Sequence, residues 1–433
     1  MTGKSVLLSI FLILITSVWR PGSAQKVALV LSGGGAKGLA HIGVLKALEE
    51  NHIPVDYIVG TSMGALVGAM YASGYTPQQM EEIALSKSMQ EWASGNMPGK
   101  YKYYFTKKED NASWVTLKVS LDSFATVVNP NLLNDEPVNM ILAEWLAHAS
   151  QKCNGNFDSL MVPFRCMSAD IFTQTEIMFD HGDLVSAVRS SMSVPLVLPP
   201  IKVDNRYLFD GGIYNNFPVD VAKEQFSPDF IIGVNVSGSN FTTYPYGKDE
   251  QLLSKAMYYL LISKTDSTLI DSGRGVYIEP NLSNYNALEF SKVADFIRIG
   301  YKSGLRKVEE IKRKLSREQD TAWLAQKREN YIRVEHPEVR IEGVIINGLK
   351  PFQSKYVKRV FRMKRKQDYL TLDDIRSGYY KLAGDDNFSV SYPRFQLNPQ
   401  TGNYLFNLDV KQDRNLNIDL GGNFTSRSIN QLF

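Results

Sequence analysis

Val27-Ala28-Leu29-Val30-Leu31-Ser32-Gly33-Gly34-Gly35-Ala36-Lys37-Gly38 begins as an unbroken apolar run and stops on three glycines. A strand this uniformly apolar suits a position covered on both faces, as in the middle of a parallel sheet. Beyond the glycines, Leu39, Ile42, Leu45 and Leu48 recur at helical spacing and predict a helix with one buried face. Val55 to Val59 then reads as a second strand, and Met63 to Tyr71 as a second, nearly all-apolar helix. Two strand–turn–helix units in succession predict an α/β fold with a mostly parallel central sheet.

Further along, Ser86 to Asn131 is rich in Lys, Tyr and Trp without a clean period, and reads as an insertion covering one end of the sheet. Val162 to Met167, Glu176 to Phe179, Tyr207 to Phe209 and Phe230 to Val236 supply more strands, the last apolar enough to be buried. From Leu288 to Ile332 the pattern turns helical and charged, and reads as closing helices and a connector. A second domain begins near Val339. Val339 to Ile346 is strand-like, Asn347-Gly348 turns the chain, and Tyr356 to Phe361 reads as helix. Thr371 followed by Asp374 marks a capped helix start, and Gly384 a helix end. Phe388, Val390 and Tyr392 alternate with polar residues, as do Tyr404, Phe406, Leu408 and Val410, giving the order strand, helix, helix, strand, strand of a small α+β unit. In the tail, Leu416, Ile418 and Leu420 alternate with Asn415, Asn417 and Asp419, as in a membrane-barrel strand. One such strand cannot close a barrel, so either the chain is the front of a longer protein or the tail pairs elsewhere.

A length of 433 residues predicts two or three domains, and a net charge of +3 gives no electrostatic case for a nucleic-acid partner. A basic face turned to anionic lipid stays open. Lys4, the apolar run from Val6 to Val18, and Gly22-Ser23-Ala24 predict an export signal over residues 1–24, cleaved before Gln25. The run is shorter than the ~20 residues that span a bilayer, which argues against a membrane anchor. Cys153 and Cys166 either pair in an oxidising compartment or stand as two partly buried thiols. The histidines (His41, His52, His148, His181, His336) are scattered without zinc-ligand spacing, so no metal or cofactor is expected.

Gly60-Thr61-Ser62-Met63-Gly64 stands between the second strand and the second helix. A tight turn there exposes the serine oxygen, the flanking glycines let the backbone bend, and the helix start favours developing negative charge. Ser62 is the candidate nucleophile; the competing reading is an ordinary glycine-flanked turn. Upstream, the glycine loop could present backbone N–H groups to the oxyanion of acyl transfer. Gly33, Gly35 and Gly38 also satisfy a dinucleotide-binding spacing, but the second strand ends in Val59-Gly60-Thr61-Ser62 rather than in the acid that would hold a ribose. A Walker loop is excluded because Leu39 follows Gly38. For a base, His181 is the least implausible histidine, whereas Asp210-Gly211-Gly212 puts a carboxylate at a strand end beside two glycines. Spacing alone leaves Asp210 open to being a turn aspartate.

Taken in order, the Gly33–Gly38 loop, Gly60–Gly64 and Asp210-Gly211-Gly212 resemble the three motifs of patatin-like phospholipases. Ser191-Met192-Ser193-Val194-Pro195 and Pro199-Pro200 resemble that family's proline-containing block. The resemblance covers about Lys26 to Ile311 and implies a three-layer sandwich and a lipid acyl hydrolase of phospholipase A or lysophospholipase type. It implies a Ser–Asp dyad without histidine: Ser62 as nucleophile, Asp210 as base, and the amides of Gly33, Gly34 and Gly35 as oxyanion hole. Lys37, Gly38, Gly60, Gly64, Gly211 and Gly212 complete the motifs, with Lys37 where many members carry Arg. An unperturbed Asp is a weak base, so a partly desolvated Asp210 with a raised pKa is expected. Residues 339–413 resemble a POTRA domain and 414–433 the first strand of an outer-membrane barrel, with 25–311 as catalytic domain and 312–338 as helical connector. These likenesses imply a phospholipid or lysophospholipid substrate, a membrane surface as partner, and residence in the periplasm, outer membrane or cell surface; a homodimer stays open. Two other readings remain: a histidine-triad hydrolase, and a non-catalytic lipid- or partner-binding component of an export or assembly system.

Overall fold

The computed structural model describes residues 25–93, 95, 101, 113–120, 126–128, 133–238, 262–263, 265–333, 340–361, 369–385, 388–390, 392–412, 415–423 and 431–432. The export signal over residues 1–24 and His336 lie outside these residues.

The apolar run is a strand, β1 (Val27–Leu31), with every residue buried. Its side chains divide between two cores. Val27, Leu29 and Leu31 face a large cluster with α1 (Ala40–Glu50) and α2 (Met63–Ala72), while Ala28 and Val30 face a smaller one with α5 (Val219–Phe226). Cover on both faces is what its lack of polar alternation required. The second strand, β2 (Tyr57–Thr61), begins two residues later than expected. Pairing starts where Asp56 clasps Val27: the Asp56 N–H donates to Val27 O at 2.9 Å, and the Val27 N–H to Asp56 Oδ2 at 2.8 Å.

Between β2 and α5 come α3 (Glu136–Lys152), β3 (Phe164–Asp170), β4 (Thr175–Phe179), α4 (Leu184–Ser191), β5 (Ile201–Val203) and β6 (Arg206–Asp210). After α5 follow β7 (Phe230–Val234), β8 (Gly275–Ile278), α6 (Val293–Lys314) and α7 (Thr321–Arg333). The sheet runs β8-β7-β1-β2-β3-β6-β5, with β4 paired to β3 off this path. From β8 to β3 all pairs are parallel, and β4, β5 and β6 pair antiparallel, so the sheet is mostly parallel with one antiparallel side.

Helix α6 runs on to Lys314 and lies against α1 so closely that a Cβ at Gly43 would sit 1.9 Å from Ile297 O. Helix α7 also reaches α1, where Arg328 forks onto Glu49 at 3.0 and 2.9 Å. Cys153 and Cys166 are free buried thiols.

The C-terminal unit comprises β9 (Ile341–Asn347), α8 (Pro351–Val360), α9 (Leu372–Ala383), β10 (Phe388–Val390), β11 (Arg394–Leu397) and β12 (Tyr404–Gln412). Strand β12 is central, with β9 parallel on one side and β10 and β11 antiparallel along the other. Helix α8 starts five residues before the expected Tyr356, because Pro351 occupies a first-turn position that needs no N–H donor. Helix α9 begins as expected, with Thr371 and Asp374 exchanging hydrogen bonds at 3.1 and 3.0 Å. The unit docks on α3 through the Arg376–Glu144 ion pair and the Leu397 N–H, which donates to Gln151 Oε1 at 3.0 Å.

The tail pairs within the chain: Asn415–Asn423 runs antiparallel to Ser113–Ser120, which also pairs with Thr126–Val128. The stretch from Ser86 to Asn131 therefore contains strands, and also a helix over Lys87–Ala93, that its composition did not reveal.

Candidate active site

Ser62 sits where β2 turns into α2, with φ 55° and ψ −125°. A non-glycine residue in that region is strained by ~1–3 kcal/mol and persists only when its surroundings hold it there. Three contacts do so. A Cβ at Gly60 would lie 2.6 Å from Gly64 O, and one at Gly64 2.5 Å from both Leu31 O and Ser32 O, so only glycines let the turn close against the end of β1. The Ser62 N–H donates to Ser191 Oγ at 2.8 Å. Its carbonyl accepts the Ala65 and Leu66 N–H groups at 2.9 and 3.1 Å, starting α2.

Asp210 ends β6 and is 3% exposed. Its Oδ1 accepts the Gly212 N–H at 2.7 Å, and its own N–H donates to Ser193 O at 2.9 Å. Oδ2 is buried without a partner at hydrogen-bonding geometry among the described residues. The Ser62 hydroxyl nevertheless acts on this carboxyl and lowers its pKa, so the two side chains are neighbours. Burial pushes the Asp210 pKa up to about 7, and the Ser62 hydroxyl and the Gly212 N–H only partly oppose it. The expected raised pKa thus has burial as its cause. Gly211 lets the chain leave β6, since a Cβ there would lie 2.3 Å from Met167 O.

The glycine loop passes over Ser62: a Cβ on Gly33 would stand 3.1 Å from Ser62 Cβ. One expected oxyanion donor needs correction. The Gly33 N–H is already spent on Asn216 O at 3.1 Å, so it is not free for an oxyanion. The Gly34 and Gly35 N–H groups have no partner among the described residues, and they precede the 3-10 turn Gly35–Leu39 and α1. Gly35 is left-handed at φ 57° and abuts Ala287 O. Lys37 is buried beside the loop, with Nζ 3.4 Å from Ser237 O. Gly38 packs on Met63, the residue after Ser62.

The described histidines do not enter this arrangement. His41 is fully buried in α1, with Nε2 2.8 Å from Ser32 O, and burial pulls its pKa down to about 4. His181 is exposed and pairs with Asp180. No described histidine has a hydrogen bond to Ser62 or Asp210.

Sequence reasoning missed several neighbours. Ser191 and Ser193 were quoted only as part of a resembling block, yet they hold the backbones of Ser62 and Asp210. Arg189, 1% exposed, holds Ser193 in turn. Asn216, also 1% exposed, gives its carbonyl to Gly33, and its carboxamide, without a hydrogen bond among the described residues, borders Gly33 and Gly212. No pattern marked Asn216, since a single polar residue in a turn has no period.

Residues 29–223 match the family model for patatin-like phospholipase. Over these residues the chain is similar to patatin-like phospholipases. Its relatives include patatin-like phospholipase domain-containing protein 7 of Mus musculus, 27% identical over 307 residues, which covers 65% of this chain and 20% of that protein. Lysophospholipase NTE1 of Pyricularia oryzae is 26% identical over 313 residues, covering 66% and 19%. Neuropathy target esterase sws of Drosophila melanogaster is 26% identical over 312 residues, covering 66% and 20%. The chain thus spans about a fifth of the length of the curated relatives it matches. Among solved structures, VipD from Legionella pneumophila aligns at TM-score 0.37 and 13% identity, over 66% of this chain and 67% of that one, too loose a likeness to carry an argument. The patatin-like segment includes the glycine loop, the Ser62 turn and the Asp210 turn.

Proposed function

We propose that this chain is a lipid acyl hydrolase of phospholipase A or lysophospholipase type, working through Ser62 and Asp210 without a histidine. One observation carries the reading: a serine held in strained geometry neighbours a buried carboxyl whose pKa is raised to about 7. A base with that pKa is matched to work near neutral pH. The names of the relatives point to phospholipid or lysophospholipid esters as the substrate class.

In this reading Ser62 Oγ attacks the acyl carbonyl carbon while Asp210 takes the hydroxyl proton. The carbonyl π electrons move onto oxygen, and the amides of Gly34 and Gly35 stabilise the oxyanion. Collapse breaks the bond to the leaving alcohol, which receives the proton from Asp210. Water then attacks the acyl-serine, Asp210 takes a proton from it, and that proton returns to Ser62 Oγ as the fatty acid leaves. Export to the periplasm or outer membrane, a POTRA-like role for residues 339–413 and a barrel-strand role for the tail belong to the same proposal. They rest on the leader pattern, on the strand–helix–helix–strand order, and on the alternation after Asn415.

The test is fluorophosphonate labelling of purified protein, with the modified residue mapped by mass spectrometry. Labelling at Ser62 that disappears in Ser62→Ala is the expected result. Folded protein that takes up no label would favour the lipid- or partner-binding reading instead.

A further inference from the structure

The two members of the dyad lie on different strand ends, yet one short segment holds both. Ser191 Oγ accepts the Ser62 N–H at 2.8 Å, and Ser193 O accepts the Asp210 N–H at 2.9 Å. Just before them, in the last turn of α4, Ser190 Oγ lies 2.7 Å from the hydroxyl of Ser168, the residue opposite Asp210 in the β3–β6 register. Moving Ser190–Ser193 would therefore shift Ser62 relative to Asp210. Effective positioning of reacting groups tolerates little such movement.

Arg189 fixes that segment. Its Nη1 donates to Ser193 Oγ at 2.7 Å and its Nε to Asn139 Oδ1 at 2.7 Å. Nη2 reaches Asp135 Oδ2 at 3.1 Å and Pro199 O at 3.4 Å. Ser193 Oγ also donates back to Arg189 O at 3.2 Å, closing a ring around the turn. One face of the guanidinium is covered by the Tyr392 ring, whose centroid is 5.5 Å away and which belongs to the C-terminal unit. Asn139 lies on α3, the helix on which that unit docks. A path of direct contacts thus runs from the C-terminal unit through Arg189 to both dyad backbones.

We propose that Arg189 is a positioning residue through which the docked C-terminal unit sets the separation of Ser62 and Asp210. The inference rests on the hydrolase reading above. Its consequence is that the unit tunes turnover rather than substrate affinity, although it supplies no group to the reaction.

The test uses three variants of the full chain. Arg189→Lys keeps the charge but cannot serve this set of acceptors with one ammonium. Ser193→Ala removes the hydroxyl that Arg189 holds and keeps the carbonyl that Asp210 uses. Tyr392→Leu removes the covering ring and leaves the catalytic domain unaltered. Fluorophosphonate labelling run to completion counts the competent serines, and kcat per labelled serine and KM are then measured on p-nitrophenyl butyrate. Loss of buried charged hydrogen bonds predicts a kcat fall of about 10- to 100-fold in Arg189→Lys and Ser193→Ala, with KM nearly unchanged. Tyr392→Leu should fall by a smaller factor, about 3- to 10-fold. The double variant Arg189→Lys/Ser193→Ala should be no worse than its worse parent, since both act through one contact. A purely structural role would lower the labelled fraction and leave kcat per labelled serine unchanged, and that result in all variants that fold overturns the inference. Additive losses in the double variant overturn it as well. If Arg189→Lys fails to fold, Ser193→Ala and Tyr392→Leu decide the matter. Wild-type protein that takes no label overturns the hydrolase reading and this inference together, whereas labelled, active wild type with unaffected variants overturns this inference alone.

Discussion

Replacing Asp210 with asparagine should stabilise the protein at alkaline pH while abolishing turnover. The folded pKa of about 7 stands against an ordinary value of 3.8. Between those values the folded protein holds a proton that the unfolded chain has released, so wild-type stability falls as pH rises through this window. Each pH unit of that difference is worth ~1.4 kcal/mol, which gives about 4 kcal/mol in all, complete once pH exceeds the folded pKa. Asparagine is nearly isosteric, accepts the Gly212 N–H as Asp210 does, and does not titrate. The stability of Asp210→Asn minus that of wild type should therefore rise by about 4 kcal/mol from acid to alkaline pH, a swing in relative Tm on the order of 10 °C.

Thermal unfolding of both proteins by circular dichroism, in steps from about pH 4 to about pH 9, measures this difference. Every other titrating group is common to the pair and cancels, so only position 210 contributes to the pH dependence of the difference. A difference that stays flat would mean that Asp210 is ionised in the folded protein at all these pH values, and the case for it as a base matched to neutral pH would fail. A difference that moves toward wild type at high pH would mean that the carboxylate is held by a charge partner, contrary to its buried surroundings.

The same ionisation should govern the rate. Because only the ionised carboxyl can take the serine proton, kcat/KM should rise with pH through an apparent pKa of about 7, and a profile flat between about pH 5 and 8 would contradict this. Ser62→Gly should stabilise the fold by about 1 to 2 kcal/mol while removing fluorophosphonate labelling, because glycine accepts φ 55° without strain; urea midpoints read the gain. Gly33→Ala places a Cβ 2.4 Å from Asn216 Oδ1 and beside Ser62, and should lower kcat more than ~10-fold with little change in Tm, as ester hydrolysis and melting together would show. Gly43→Ala forces a Cβ to 1.9 Å from Ile297 O across the α1–α6 contact, and should destabilise by about 2 kcal/mol or more, measured by denaturant unfolding without labelling at Ser62 being lost first.

Much of the fold was legible because burial writes itself into pattern. Val27–Leu31 lacks polar alternation because both its faces are covered, and that single fact predicts a parallel sheet. The Ser62 turn was legible for a related reason, since Gly60 and Gly64 are required by backbone contacts that no larger residue could make. Where chain segments meet only by long-range pairing, nothing local announces it. Ser113–Ser120 pairs with Asn415–Asn423, and neither composition nor period in the first segment points to the second. The oxyanion loop was read too generously for the same reason. Three glycines look alike in sequence, but Gly33 spends its N–H on Asn216, a residue far along the chain.

Why a carboxyl can stand where a histidine is expected follows from where the fold puts it. An aspartate in water has released its proton well below neutral pH and has little affinity for the one on a serine hydroxyl. Raising that affinity requires burial without a cation nearby, because a cation would pull the pKa back down. Asp210 meets both conditions. It caps a strand on the antiparallel side of the sheet, its one strong hydrogen bond comes from the neutral Gly212 N–H, and no charged group figures among the causes of its shift. The guanidinium of Arg189 is spent on Ser193 Oγ, Asn139 and Asp135 and does not figure among the causes of the Asp210 shift. In the proposed mechanism, one buried cation holds the turn whose carbonyl accepts the Asp210 N–H, while no cation contributes to the pKa of Asp210.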